Sequence, residues 1–293
     1  MVQIIDQRHA DQALYRLYLE TMGSRWPLSL ERFMQTGHCH TLVATQHGRP
    51  QGFAMLDRQG RRGYLQLLAV RPAIQHQGLG TDLLQASERW LRAQGAEEIV
   101  VGQGRRYLWQ GAPEESAGFF QARGYRSDET SVDMTLDLDR FVHPAWGQEQ
   151  IPRGIEIRIA RPEDRSRLPE AFRDDDLADW LGFYMEAIRA QEYERILLAA
   201  TPDQIVGVVL VETEGLTWQG CFEGRTGGLA CLGVISSHRG QGIGRALAAR
   251  GTWLLQQRGL NTSYLGWTWL VDWYGALGYR VWRRFAMLLK GIG

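Results

Sequence analysis

Leu232-Gly233-Val234-Ile235-Ser236-Ser237-His238-Arg239-Gly240-Gln241-Gly242-Ile243-Gly244, followed at once by Arg245-Ala246-Leu247-Ala248-Ala249, decides the reading of this chain. An apolar run gives way to a polar loop with three alternating glycines, and an alanine- and leucine-rich helix starts without a gap. The first amides of such a helix have no intrahelical partner, and the helix dipole adds partial positive charge there. Glycines remove the Cβ atoms that would hold a phosphate away from those donors. The stretch therefore reads as a cradle for a pyrophosphate. It is not a Walker loop, since no Lys-Ser or Lys-Thr follows the glycines. Nor is it the dinucleotide fingerprint, because Leu247 stands where that pattern needs a final small residue.

The same pattern occurs earlier. Leu68-Ala69-Val70-Arg71-Pro72 leads into Gln75-His76-Gln77-Gly78-Leu79-Gly80, and Thr81-Asp82-Leu83-Leu84 follows. Gln75 with Arg239, Gly78 with Gly242, Gly80 with Gly244, Leu68 with Leu232 and Val70 with Val234 share one offset. Further on, Phe120 and Tyr125 match Tyr274 and Tyr279, with Gly124 against Gly278. Internal repetition at this spacing means two copies of one fold. Arg-x-x-Gly-x-Gly behind a strand ending Leu-x-Val resembles the coenzyme A pyrophosphate loop of the GCN5-related N-acetyltransferases, the GNAT superfamily. The duplication resembles tandem acetyltransferases of the mycothiol synthase type.

Composition agrees with an ordinary soluble protein of about two domains. Acidic and basic residues number 33 each, which argues against nucleic acid or a membrane surface as main partner. Almost all the positive charge is arginine; Lys290 is the one lysine. Cys39, Cys221 and Cys231 show neither paired spacing nor a zinc pattern. Asp6 interrupts the N-terminal apolar residues too early for a secretory leader, and the apolar run 205–211 is too short to cross a bilayer. A reducing cytoplasm is the expected compartment, and no metal is expected.

Along the first half, strands are expected near 3–5, 41–44, 52–56, 64–70, 98–101 and 132–136, with helices through Leu14 and Leu17, from Ser29 to Met34, over 82–92 and around Phe120. Residues 103–113 form an insertion relative to the second half. The second half repeats the order: strands near 155–159, 197–200, 205–211, 229–234, 264–269 and 280–288, and helices over 162–172, through Leu177, Trp180, Leu181 and Tyr184, over 245–257 and over 273–277. Hairpins require antiparallel pairing, and a strand-helix-strand crossover requires local parallel pairing. The expected class is α/β (α+β): two tandem folds, each a mixed, twisted sheet flanked by helices. The resemblance implies that each sheet is mostly antiparallel, with a central parallel pair that splays apart. Residues 1–142 form the first domain, 143–153 the linker and 154–293 the second domain.

The resemblance also implies the chemistry. Acetyl-CoA is the donor and a small-molecule amine the acceptor, in a monomer or homodimer. Leu232, Gly233, Val234, Arg239, Gly240, Gln241, Gly242, Gly244 and Arg245 would hold the donor, with Leu68, Val70, Gln75, Gln77, Gly78 and Gly80 as the corresponding set in the first half. Tyr274, in a Tyr-x-x-x-Gly-Tyr pattern, matches the family's acid. Phe120 stands at that place in the first half and has no proton to give, so the chemistry is expected in the second half. The first half is then either a second acyl-CoA site or a degenerate copy that completes the acceptor cleft. The general base is open between Glu212, Glu214, Glu223, Asp272 and a water chain. His76 and His238 flank their loops. Trp180, Tyr184, Trp218, Trp267, Trp269 and Trp273, near Asp174, Asp175 and Asp176, suit a flat or sugar-like amine, although aspartates there also suit a helix start. The alternative function is an acyl-CoA-binding module without catalysis.

Overall fold

Strand and helix signals recur in one order along both halves, and the computed structural model carries both series. It describes residues 2–7, 9–36, 38–104, 109–144, 151–174, 177–216 and 218–293. Part of the insertion (105–108), part of the linker (145–150), Asp175 and Asp176 lie outside the described residues. The first series is β1 (Gln3–Gln7), α1 (Gln12–Met22), α2 (Leu30–Met34), β2 (His40–Gln46), β3 (Arg49–Gln59), β4 (Arg62–Val70), α3 (Leu79–Ala93), β5 (Glu98–Val101), β6 (Ala112–Pro113), α4 (Ala117–Gln121) and β7 (Arg126–Asp137). The second is β8 (Glu156–Ile159), α5 (Leu168–Ala171), α6 (Leu181–Arg189), β9 (Ile196–Ala200), β10 (Ile205–Glu212), β11 (Thr226–Val234), α7 (Ile243–Gln257), β12 (Thr262–Thr268), α8 (Val271–Gly275) and β13 (Arg280–Gly291).

Two compact units result, one of Met1–Val132 with Arg283–Gly293, the other of Asp133–Trp282. The C-terminal strand segment is therefore part of the first unit, and the end of β7 is part of the second. In the first unit the sheet order is β1-β2-β3-β4-β5 with β13 beside β5. Neighbours are antiparallel except β4 with β5, which run parallel from Arg62↔Glu98 to Leu65↔Val101. In the second unit the order is β8-β9-β10-β11-β12, with the end of β7 beside β12. Here β11 and β12 are the parallel pair, joined only at Thr226↔Thr262, Gly227↔Ser263 and Gly228↔Tyr264. The expected mixed sheet, built twice, is the observed one.

Helix faces account for the packing. In the first unit Leu83, Leu84 and Leu91 of α3 lie on Leu42, Ala54, Leu56 and Leu65, at the helical spacing that puts apolar residues on one side. In the second, Leu168, Tyr184 and Ile188 lie on Leu198, Val208 and Leu210. Each fully buried leucine or isoleucine contributes about 1.5–3 kcal/mol. The C-terminal segment is held in the first unit by Phe285, which is 1% exposed and meets Trp26 edge-on at 5.2 Å, while the Arg283 guanidinium lies 4.2 Å over the Trp26 ring. Phe285→Ala should cost about 3–5 kcal/mol and unfold the first unit early in urea. A loss under about 1 kcal/mol would mean that Phe285 does not anchor this segment.

Candidate active site

The first two helix starts are capped by a side chain. Asp11 accepts from the Leu14 amide at 2.9 Å, and Ser29 from the Arg32 amide at 3.1 Å. Helices α3 and α7 differ. Their N-caps are Gly78 (φ 93°) and Gly242 (φ 82°), left-handed and without any capping side chain. Only glycine takes that conformation without cost, and the uncapped first-turn amides are left for a ligand.

The two loops are copies in detail. Short 3-10 turns at Pro72–Ile74 and Ser236–His238 precede them. His76 (φ 60°) and Gly240 (φ 74°) are both left-handed. Gln75 donates to the Val70 carbonyl at 2.9 Å and Arg239 to the Val234 carbonyl at 2.9 Å. A side chain at this place therefore braces the loop against the end of its strand, and glutamine does it as arginine does. The Arg239 guanidinium also pairs with Asp174 at 3.5 Å, and Asp174 accepts from the Ser236 amide at 2.7 Å. A Cβ on Gly80 would sit 3.5 Å from the Phe119 ring, and one on Gly244 3.5 Å from the Trp273 ring. Val234 and Leu232 complete the wall beside Gly244, at 3.6 and 3.8 Å; Val70 takes that part beside Gly80 at 3.8 Å. Leu68 is half-buried, and Gln77, Gln241 and Arg245 are exposed.

The strands that lead into the loops differ between units. Beyond Gly228, β11 continues through residues 229–234 and β12 through 265–268 without pairing with each other. Each of these diverging arms carries a left-handed residue that is not glycine: Cys231 (φ 50°) on β11 and Trp267 (φ 56°) on β12. Such residues cost of order 1–3 kcal/mol and cluster at working sites. Each has a clamp. The Tyr184 hydroxyl donates to the Cys231 carbonyl at 2.7 Å, and the Trp267 amide donates to Asp133 Oδ1 at 3.2 Å. Cys231 lies in a register shift, since Val208 faces Gly233 while Leu210 faces Ala230; a bulge of this kind re-aims the strand. Neither β4 nor β5 has a left-handed residue. The Cys231 thiol is pushed up to about 12 by burial, with Glu212 adding to it, so it stays protonated. Gly233 is where the chain before α6 rests on the strand: a Cβ there would collide with Leu177 and come within 3.0 Å of Trp180.

Tyr274 follows Trp273 on α8. The residue is 7% exposed, its ring meets Trp273 edge-on at 4.6 Å, and no described residue hydrogen-bonds its hydroxyl. Burial raises its pKa above the ordinary tyrosine value, with Tyr279 adding to it. Tyr279 is different in kind, with Ser263 at 2.7 Å and Thr252 at 2.9 Å holding its hydroxyl in the core. At the Tyr274 place on α4, Phe120 is buried edge-on against Phe119 and Tyr125.

Among the base candidates, Glu212 is held by Arg195 in a two-pronged pair at 2.8 and 2.9 Å, while Glu214, Glu223 and Asp272 are exposed. Of the aromatic set, Tyr184 and Trp218 are buried and Trp180 and Trp273 half-buried; Trp267 is 40% and Trp269 74% exposed. Sequence reasoning missed Asp133, the clamp role of Tyr184 and the bracing role of Asp174. No local signal marks them, since each acts on a residue distant in the chain. Among the described residues no group of three or more His, Cys, Asp or Glu could hold a metal, and no helix is long and apolar enough to cross a membrane.

The family model described as Acetyltransferase (GNAT) family matches residues 11–108 and 158–278. The chain belongs to this family. Among solved structures, this GNAT protein is similar to a region described as a GCN5-related glucosamine N-acetyltransferase within a fungal multi-domain GH3 β-N-acetylglucosaminidase. Identity is 26% and the TM-score 0.84, covering 99% of this chain and 38% of that one. Its fold is also that of a GCN5-related N-acetyltransferase from Sphaerobacter thermophilus, at 21% identity and TM-score 0.74 over 98% of this chain and 95% of that one. A tandem GNAT protein from the clavulanic acid biosynthesis pathway shares the two-copy fold, at 15% identity and TM-score 0.69 over 100% and 99% of the two chains. The GNAT chain spans 38% of the length of the fungal protein. No curated protein matches its sequence.

Proposed function

We propose that this protein is an N-acetyltransferase that moves acetyl from acetyl-CoA to the amine of a small molecule, with chemistry in the second unit. The acceptor is an amino sugar of the glucosamine kind, and the protein works in the cytoplasm as a monomer or homodimer. The observation that carries the reading is Tyr274, a buried phenol whose hydroxyl no described residue engages, next in sequence to Trp273 in the wall of an uncapped glycine cradle. The two clamped, left-handed residues on the diverging arms support the same unit. Phe120 supports a first unit that binds without turnover. The acceptor class rests on the similarity to the fungal region described as a glucosamine N-acetyltransferase and on the exposed tryptophans.

In this reading the amides of Gly242, Ile243 and Gly244 receive the pyrophosphate, with the Arg245 side chain at the same helix start. The open arm of β11, near Gly233 and Val234, presents an amide to the thioester oxygen, where negative charge builds up as the amine attacks. The amine nitrogen forms the new C–N bond, the C–S bond breaks, and the departing sulfur takes the proton of Tyr274. The proton lost by the amine leaves through water, since Glu212 is engaged by Arg195. The test is incubation with acetyl-CoA and D-glucosamine, following free thiol and the mass of the sugar. One equivalent of thiol per N-acetylated sugar is expected. No thiol above background from glucosamine or any other amino sugar would remove the acceptor assignment.

A further inference from the structure

Asp133, in β7 and before the linker, belongs to the second unit. It is 1% exposed and accepts the Trp267 amide at 3.2 Å. Trp267 has reason to need it. Residues two apart on a regular strand share a face, so Trp267 would follow Leu265, which is 3% exposed, into the interior. Instead the alternation breaks at the left-handed Trp267. Gly266 and Trp267 are both exposed, Thr268 is buried, and Trp269 is out again. A large side chain does not choose that backbone by itself; the carboxylate bonded to its amide holds it there. The conformation leads directly to the acid. The Thr268 hydroxyl accepts the Leu270 amide at 3.1 Å, and the Leu270 carbonyl accepts the Tyr274 amide at 3.0 Å.

We propose that Asp133 is a positioning residue that turns the Trp267 ring outward, beside Trp269 at the open end of β12, as the face on which the acceptor's sugar ring rests. This rests on the reading of the second unit as an amino-sugar acetyltransferase. A pyranose fits such a surface: one face of the ring carries only C–H groups, which pack on an indole, while its hydroxyls stay at the rim in water. The clamp therefore governs acceptor recognition and leaves the donor cradle alone.

The test is steady-state kinetics on the full chain, with the KM for glucosamine and for acetyl-CoA measured separately. Asp133→Asn keeps an oxygen that accepts the Trp267 amide, so its kcat and both KM values stay within about threefold of the wild type. Asp133→Ala and Trp267→Ala each raise the KM for glucosamine about tenfold with the KM for acetyl-CoA unchanged. The double variant is no worse than Trp267→Ala, since both remove one platform. A collapse of kcat in Asp133→Asn would make Asp133 a base and overturn the positioning role. So would an Asp133→Ala variant whose melting temperature falls while the KM for glucosamine holds. If the wild type acetylates no amino sugar, titration of glucosamine into the CoA-bound wild type and the CoA-bound Trp267→Ala variant separates the two claims. Binding lost only in the variant keeps the platform and removes the reaction; no binding to either removes both.

Discussion

Tyr274→Phe lowers kcat by about 10²–10⁴-fold, the range for a lost general acid, and leaves the affinity for acetyl-CoA where it was. The substitution removes one oxygen and keeps the ring, so the edge-on contacts with Trp273 and Tyr279 survive and the melting temperature should barely move. Because no described residue bonds that hydroxyl, its removal leaves no buried partner unsatisfied, which is the usual reason such a change destabilises. The sign of the pH dependence follows from the raised pKa. A phenol held above its ordinary value keeps its proton at every pH below that value. Turnover should therefore show no alkaline decline from Tyr274 below about pH 10. Single-turnover thiol release checks both points. A Phe variant within a few-fold of the wild type in the chemical step would take the acid role away from Tyr274.

Gly244→Leu weakens acetyl-CoA binding by about 100-fold or more. A Cβ alone fits, because it meets Trp273 and Val234 at ordinary contact distances of 3.5 and 3.6 Å. Gly244→Ala should therefore lose little. The longer side chain either displaces Trp273, the neighbour of Tyr274, or fills the space over the first amides of α7. Losing two amide bonds to a charged phosphate, at about 1.5–3 kcal/mol each, is enough for the stated factor. Isothermal titration reads it directly, and a leucine variant that binds as the wild type does would mean that the pyrophosphate lies elsewhere.

The cradle was legible because everything that makes it is local. Glycine spacing, the strand before it and the helix behind it lie within a few residues, and the second copy repeats them in register. The same holds for Tyr274 against Phe120. What was not legible depends on distance in the chain. Asp133 meets Trp267 across 134 positions and Tyr184 meets Cys231 across 47; no periodicity reports such pairs. Alternation in β7 and β13 marks them as strands without saying which unit each end joins. Arg239 reads as a phosphate ligand by type, yet its guanidinium is turned to the Val234 carbonyl and Asp174, in the place where Gln75 serves the first unit. Trp218 reads as an acceptor contact and is buried instead, its ring 6.1 Å from Trp282, because burial of a tryptophan is set by the loop that folds over it.

The central claim is that one of two matched cradles serves the chemistry. Its most direct test is the turnover of Gly80→Leu beside that of Gly244→Leu, with acetyl-CoA and glucosamine at concentrations that saturate the wild type. The two glycines have the same helix position, each with an aromatic ring 3.5 Å from its would-be Cβ (Phe119 and Trp273), so the substitutions disturb their units alike. The account predicts that Gly80→Leu retains turnover within a few-fold while Gly244→Leu loses nearly all of it. Retention by Gly244→Leu with loss in Gly80→Leu would place the reaction in the first unit and contradict the account.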